Sequence, residues 1–514
     1  MLADMSEPRQ RRRERLPRTQ ASIPQLPRRR VRNPYPPMQM LSEDQVEAIH
    51  DASMHILENF GIEVMSPRAL SLFEQAAAKV DHANQTAWRD RGLVAETSAT
   101  APWRYTLTPR NSANTVDLGG DALNFTLVAG PPNVHDMERG RRAGNLADYR
   151  DFIRLAQHFN AITMIGNQVC APVELPANNR HLDTYLANLT LSDKSFHASA
   201  IGRGRALDAV NMMAISRGLT LDEMAADPGV TTIISVNSPR RFDDMMADGL
   251  IAMAEHGQSV AVTPFTLMGA MSPVTLAGAL AQQNAEALFG VVLTQLVRPG
   301  APVMYGAFTS NVDMKSGAPA FGTPENTKAN IASGQLARRY KLPYRTTPGS
   351  ASNAADAQGA WETMMALWGA VLGHGNLIYH AAGWQEGGLT ASFEKFIIDV
   401  EMIQHMMEFL TPIAVDEGEL ALDALGRVPT GGHFFGDAHT LDRYATAFYQ
   451  PMLSNWQNYE AWAEAGSLDA TARATRLWKK ALEEYEQPAI EPDRLEALEA
   501  YVARRKDEIG SGEP

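Results

Sequence analysis

The stretch Tyr379-His380-Ala381-Ala382-Gly383-Trp384-Gln385-Glu386-Gly387-Gly388-Leu389 runs an apolar strand into a glycine-rich turn that carries an imidazole, an indole and a carboxylate. Glycines let the backbone take positive φ and pass close to a ligand. His380, Trp384 and Glu386 then offer a donor, a π-face and a charge within a few residues of the strand end. The same residues also read as a glycine-capped turn around a core tryptophan, because Trp and His are commonly buried for packing.

The elements that place this turn follow a repeating unit: a short β-branched apolar run, a turn, and a long helix. Strands are predicted at 162–166, 196–200, 231–236, 260–264, 303–307, 344–347, 377–380 and 413–415, with helices at 274–296, 323–340, 354–372 and 392–410. Such alternation through eight cycles predicts an α/β fold, a (β/α)8 TIM barrel. A doubly wound sheet is the rival, disfavoured because no Gly-x-Gly-x-x-Gly turn follows a strand. The organisation expected is a disordered Arg/Pro-rich tail at 1–40, an N-terminal α+β layer at 41–150, the barrel catalytic domain at 151–425 and a C-terminal helical extension at 426–514. Ser42-Glu43-Asp44-Gln45 is a capping box that opens a helix, and a second helix follows around 67–80. In the N-terminal layer Trp103, Tyr105 and Phe125 either reach over a ligand or pack.

In a barrel the residues just after each strand face one mouth. Here they are Gln168, Ser199, Asn237, Phe265, Thr266, Phe308, Thr309, the 348–353 turn, His380, Trp384 to Glu386, Asp416 and Glu417. Few are cationic, which argues against phosphorylated substrates. Phe265, Phe308 and Trp384, with Tyr305 nearby, suit a weakly hydrated quaternary ammonium group, which aromatic faces hold without hydrogen bonds. Tyr305 reads more readily as barrel packing. A zinc site from His197, His380, Glu386 and Asp416 has no supporting ligand spacing, so no metal is expected. No Gly-x-Ser-x-Gly elbow is present, and Cys170 lies in no nucleophile motif.

A formal charge of -13 over 514 residues, with pI near 5.5, argues against nucleic-acid binding. One cysteine allows no internal disulfide, and no uninterrupted apolar run of about 18 residues occurs; a cytoplasmic protein without membrane association is expected. Arginine clusters at 11–13 and 28–30 sit among prolines, a composition that stays disordered or lies extended over a surface. Beyond Gly431 the chain is aromatic-rich and helical, long enough to brace the barrel or cover its mouth. The 477–506 helices read as a solvated face or a subunit contact, and a homo-oligomer is expected.

Two long segments carry a family resemblance: Leu267-Met268-Gly269-Ala270-Met271-Ser272-Pro273-Val274-Thr275-Leu276-Ala277-Gly278-Ala279-Leu280-Ala281-Gln282-Gln283-Asn284-Ala285-Glu286, and Gly383-Trp384-Gln385-Glu386-Gly387-Gly388-Leu389-Thr390-Ala391-Ser392-Phe393-Glu394-Lys395. With Ile56-Leu57-Glu58-Asn59-Phe60-Gly61-Ile62, they resemble the trimethylamine methyltransferase (MttB-like) family from Leu41 onward. The resemblance implies a TIM barrel that passes a methyl group from a methylated amine to the Co(I) of a separate corrinoid protein. No cofactor is then held tightly by this chain, and the cobalamin comes with that partner. The family's founding enzymes carry pyrrolysine near the end of the sixth strand. The matching Pro348-Gly349-Ser350-Ala351-Ser352-Asn353-Ala354-Ala355-Asp356-Ala357-Gln358 has only small and polar residues. The chain therefore resembles the non-pyrrolysine branch, whose characterised members act on quaternary amines such as glycine betaine. Proline betaine, carnitine, choline and dimethylsulfoniopropionate are the alternative donors, and a non-catalytic betaine-binding barrel is the rival class. On this reading His380 and Glu386 are the catalytic candidates. Phe265, Phe308, Asn353, Trp384, Gln385 and His433 are the substrate-binding candidates. Gly432 to Gly436 either covers the mouth, meets the corrinoid partner or braces the fold.

Overall fold

The computed structural model describes residues 23–166 and 168–510. Eight parallel strands close a ring: β1 (Ala122–Leu127), β2 (Met164–Ile165), β3 (Ser195–Ala198), β4 (Val230–Val236), β5 (Ser259–Met268), β6 (Val303–Gly306), β7 (Tyr344–Thr346) and β8 (Leu377–Ala382). Each pairs with the next, and β8 returns to β1. The helices between are α1 (Leu146–His158), α2 (Arg180–Leu191), α3 (Arg203–Arg217), α4 (Asp244–Glu255), α5 (Leu276–Val297), α6 (Pro324–Arg339), α7 (Ala357–Leu372) and α8 (Phe393–Phe409). The TIM barrel is thus confirmed, with its count shifted by one. The first strand lies in the segment assigned to the N-terminal layer, and the expected last strand at 413–415 is irregular and exposed, Ile413 at 87%. All six residues of β1 are buried, and ladder pairing with burial on both faces, not β-branching, makes a barrel strand.

Alternation along the strands divides two cores. Outward side chains pack under the helices. Inside, Met164, Ala261, Met304, Leu377 and Tyr379 form a separate cluster that also takes in Leu107, Val116 and Leu118. These last three belong to a hairpin, Tyr105–Leu107 with Val116–Leu118, that closes the barrel at its N-terminal end. Tyr105 is fixed there by a 2.7 Å bond to Ser259 Oγ. It therefore plugs the floor rather than covering a ligand; Phe125 is core and Trp103 is exposed.

The polar run Gln282 to Glu286 is buried on α5 because each group ties a neighbour in place. Gln282 Nε2 donates to the Met271 carbonyl (2.9 Å), Gln283 to Tyr305 and Ser333 (both 3.1 Å), and Asn284 to Ser53 (2.9 Å) and Tyr340 (2.8 Å). Glu286 accepts from Ser238 Oγ (2.5 Å) and the Arg240 N–H (2.8 Å), and burial raises it to about 7. The β4 and β5 loops and the N-terminal helix Glu43–His55, opened by its Ser42 capping box, are thereby joined to one helix. Tyr305 points into this network, outside the barrel interior.

Arg11 to Arg13 fall outside the described residues. From Ile23 the Arg/Pro segment lies extended on the barrel floor. Val31–Arg32 pairs antiparallel with β1, and Arg32 bonds Asp117 (2.6 Å) and Asp121 (2.9 Å). At the other terminus, Ala470–Glu483 packs on α8 and α1, and Pro492–Ile509 on α2 and α3. The expected solvated helices thus brace the barrel wall through Trp478, Leu498 and Tyr501. No described helix is long and apolar enough to cross a membrane.

The last helix is held at Asp208 of α3, which accepts from His181 Nε2 (2.9 Å), Tyr501 Oη (2.7 Å) and Arg505 Nε (2.7 Å). Desolvation alone would raise this carboxyl, but the bonds from His181, Arg505 and Tyr501 outweigh it and hold it below its ordinary value. Its contribution is present above the unfolded carboxylate range near about 4 and lost as pH falls through the lower folded value. Asp208→Ala leaves the buried His181 and Tyr501 without their acceptor and should cost about 1–3 kcal/mol, read as a lower urea midpoint and earlier proteolysis of the C-terminal helix. An unchanged midpoint would remove Asp208 as the anchor.

Candidate functional site

At the C-terminal end of the strands a cavity of about 400 Å³ opens into the barrel. Its upper wall is aromatic. Phe265 and Phe308 sit side by side on paired strand ends with ring centroids 4.7 Å apart. Trp384 meets Phe308 edge-on at 6.0 Å and His380 at 4.3 Å. Deeper down lie Tyr379, Ile233, Thr263, His197 and Arg345, and the lining contains no Asp or Glu.

His380 is aimed by a fault in its strand. The β1–β8 register shifts between Ile378 and Ala382, and His380 takes φ +62, a left-handed backbone unusual for a residue with a side chain. Thr126 Oγ1 accepts the His380 N–H (3.2 Å), and the Ala129 N–H donates to Nδ1 (3.1 Å). With Nδ1 the acceptor, a neutral ring carries its proton on Nε2. Burial, then the charge of Arg345 and the neighbouring His197, hold His380 well below 6.5, so the ring is neutral at physiological pH.

Arg345 comes from the middle of β7, between outward-facing Tyr344 and Thr346, whose hydroxyls bond Asn330 of α6. It is fully buried. One amino group reaches the Ala307 carbonyl (3.3 Å), and the guanidinium lies over Tyr379 (5.0 Å) and Phe308 (5.5 Å). Among the described residues no carboxylate pairs with it, and its Nε has no hydrogen-bond partner. Burial lowers it to about 10, so it remains a cation at neutral pH. Two neighbours share its condition. Neither ring nitrogen of His197, nor the Trp384 Nε1–H, makes a hydrogen bond of normal geometry among the described residues. His197 is held well below 6.5 by burial and then by Arg345. Buried polar groups are rarely left unpaired, and of these only Arg345 brings a permanent charge to the cavity lining.

Of the sequence-derived candidates, Phe265, Phe308, His380 and Trp384 line the cavity, and Glu386, Asn353, Gln385 and His433 do not. Glu386 is clamped by Arg141 through two bonds (2.8 and 3.0 Å) and by Thr390 Oγ1. These bonds hold its carboxyl below the ordinary range and tie the Trp384–Gln385 strand to its sheet with Thr390–Ser392, Asn133–Asp136 and Gly140–Ala143. Gln385 is spent on the Asn353 carbonyl (2.8 Å), Asn353 is exposed, and His433 stands in solvent beside Phe435. Asp416 caps the exposed turn Glu417–Leu420, far from any grouping with the histidines. Segment 348–358 contributes no lining residue and is pinned from behind by Glu362, which accepts from Ser350 Oγ (2.8 Å) and the Ala351 N–H (2.9 Å). Beneath the turn, the Gly383 N–H donates to Asp399 (2.8 Å), whose other oxygen meets Lys395. Arg345 escaped the sequence reading because it sits within a strand, where only residues after strand ends were inventoried; an arginine between β-prone residues in a barrel strand was the available signal.

The family model for trimethylamine methyltransferase (MTTB) matches residues 8–510. A glycine betaine methyltransferase of Desulfitobacterium hafniense strain Y51 is 36% identical, the match covering 92% of this chain and 98% of the relative. A trimethylamine methyltransferase, MttB, of D. hafniense strain DSM 10664 / DCB-2 is 29% identical, covering 91% and 94%. The crystal structure of a hydroxylamine complex of MtmB shares the fold at 8% identity and TM-score 0.50, over 87% of this chain and 93% of that one.

Gly388 backs the tryptophan: at φ +98, a Cβ would overlap the Trp384 ring. Gly388→Ala should therefore cost about 1–3 kcal/mol in backbone strain alone and displace the indole. Gly436→Ala, with nothing within 4 Å of its Cβ position, should leave the denaturation midpoint unchanged. Equal midpoints for the two variants would refute the packing role of Gly388.

Proposed function

The chain belongs to the trimethylamine methyltransferase (MTTB) family and is a methyltransferase, and we propose that its methyl donor is a carboxylated quaternary amine, glycine betaine, with the cobalt of a corrinoid on a separate protein as the acceptor. One observation carries the choice of donor. The cavity has a fixed positive charge, Arg345, and no acid in its lining. A plain cation such as choline would meet unscreened repulsion there, whereas a zwitterion brings its own counter-charge. The carboxylate pairs with Arg345, the cation of the lining. The trimethylammonium then meets the faces of Phe265, Phe308 and Trp384, worth about 0.5–2 kcal/mol per contact when desolvated.

Pairing the carboxylate also prepares the methyl group. In the free zwitterion the acid's negative charge stabilises the ammonium beside it. With that charge held by Arg345, the ammonium keeps its full pull on the C–N electrons. On transfer one C–N bond breaks, its electron pair returns to nitrogen, and the neutral tertiary amine leaves without a proton or an activating adduct. The acceptor's reduced cobalt supplies the electron pair for the new bond to carbon. The chain's part is to orient the donor and strip its water, which suits a wall of rings and neutral imidazoles. His380, presenting Nε2–H at the level of the rings, positions the substrate rather than moving a proton.

Purified protein mixed with a reduced corrinoid protein should bleach the Co(I) absorbance with glycine betaine and not with choline or trimethylamine. Comparable transfer from choline would sink the zwitterion reading. Arg345→Met should lower kcat/KM for betaine roughly 30- to 5,000-fold, the equivalent of about 2–5 kcal/mol for a buried charge pair. It should also raise the melting temperature of the ligand-free protein, because it removes an unpaired buried charge. His380→Ala should lower kcat/KM for betaine, with unchanged far-ultraviolet circular dichroism and a lowered melting temperature because the buried Ala129 N–H loses its acceptor. Betaine binding measured by calorimetry should be flat between about pH 6 and 9, both imidazoles being neutral there, and weaken above about 10 as Arg345 loses its proton. An inflection near 6.5 would show that a histidine titrates in the site.

A further inference from the structure

The segment 411–448 leaves the barrel and hardly touches it. Only Ala424 in this run is buried. Its large apolar side chains face solvent: Ile413, Phe435 (81%), Phe448 (78%), Val415, Tyr444 and Leu422 are the most open. The segment is nevertheless shaped. Arg427 grips Asp437 through two bonds (2.9 and 2.8 Å), and Asp416 and Asp437 cap the short helices Glu417–Leu420 and Ala438–Arg443. We propose that this arm is a docking surface for a second copy of the same chain.

Three observations select that occupant. The first is scale. With an aromatic side chain covering about 150–250 Å² when buried, the exposed fractions leave on the order of 1,000 Å² of apolar side chain in water. Each partner in a standard stable interface contributes about 800 Å², so the arm carries enough apolar surface for one. The second is composition: rings and aliphatic side chains dominate, as in obligate rather than transient contacts. The third is position. The arm springs from the C-terminal end of α8, which runs back from the mouth to the barrel floor. Its root is fixed there, with Tyr35 against Phe409 (ring centroids 5.4 Å) and Arg29 donating to Thr411 Oγ1 (3.0 Å). It rejoins the body at Glu401, midway along α8, which accepts from Tyr449 Oη (3.1 Å) and the Met452 N–H (3.0 Å). On the proposed function the corrinoid protein must come and go at the mouth in every turnover, and a large apolar contact rooted at the opposite end does not suit that traffic. A permanent partner does, and a second copy is always present at matching concentration.

Sedimentation equilibrium of the full chain at micromolar concentration should give at least twice the 56.2 kDa chain mass. Phe435→Asp/Phe448→Asp, and independently Ile413→Lys, should reduce it to a single chain with unchanged far-ultraviolet circular dichroism. A monomeric wild type overturns the proposal. So do variants that all keep the wild-type mass. If they keep that mass but no longer pass methyl groups to the corrinoid protein, the arm belongs to that partner instead. Betaine binding is measured alongside: its failure in wild type would count against the proposed substrate and leave the mass result standing.

Discussion

A guanidinium held inside a parallel barrel without an acid beside it costs several kcal/mol in lost hydration, and the mouth of this protein is arranged around that cost. Arg345 recovers part of it from the Ala307 carbonyl and from the faces of Tyr379 and Phe308. What remains is an unused donor edge and a positive potential confined to a space of low polarity. That potential adds to burial in holding His197 and His380 neutral. Burial first and this charge second keep both rings neutral, and the charge makes the cavity a place where an anion gains and a bare cation loses. Its location fixes the consequence: an arginine in a surface loop would be screened and would select nothing.

The rings above it depend on a chain of supports running outward. Trp384 needs the positive-φ turn at Gly383 and the open space at Gly388. Gly383 is tied to Asp399, which is buried on α8 and raised to about 6 by desolvation despite the opposing pull of Lys395. Glu386, six residues from His380 in the same turn as Trp384, is spent on Arg141 and therefore orders the hairpin instead of lining the cavity. Buried ion pairs such as Lys395 with Asp399 add little net stability; here theirs holds a turn whose geometry sequence-local forces would not maintain.

The fold was legible in the sequence wherever periodicity reports burial. Helices α5, α6, α7 and α8 fall within three residues of their expected bounds, because long apolar repeats with capping residues leave few alternatives. The ends of the ring were not legible. Residues 122–127, Ala-Leu-Asn-Phe-Thr-Leu, mix polar and apolar types, and only closure against β2 and β8 identifies them as a barrel strand. Ile-Ala-Val at 413–415 is β-prone but has no ladder to join. At the site, aromatics that follow strand ends were readable from topology alone, and Phe265, Phe308, His380 and Trp384 all reach the cavity. Arg345 and the orphaned nitrogens of His197 were not, since what distinguishes them is a missing partner, which no single sequence displays. Glu386 and Gln385 share the motif of His380 and Trp384 yet point elsewhere, because bulge and hairpin send neighbouring residues to opposite faces.

Depth gives the cavity a direction. Arg345 is paired in register with Gly306 and Leu377, a step deeper along the strands than Phe308 and Tyr379. Phe265 and Phe308 sit where the ladder ends, and Trp384 comes from the turn above it. An acid group drawn to the guanidinium must travel past the rings, so on the proposed function a betaine would enter carboxylate first and its trimethylammonium would come to rest among them. The methyl groups would then be the last atoms before the mouth, facing whatever approaches from outside. The spacing between charge and rings limits the donor as well. With the guanidinium 5.5 Å from the Phe308 ring centroid, the proposed donor is one whose carboxylate and ammonium are joined by a short tether. The same two layers therefore decide which charge goes in first and how far away the other can be.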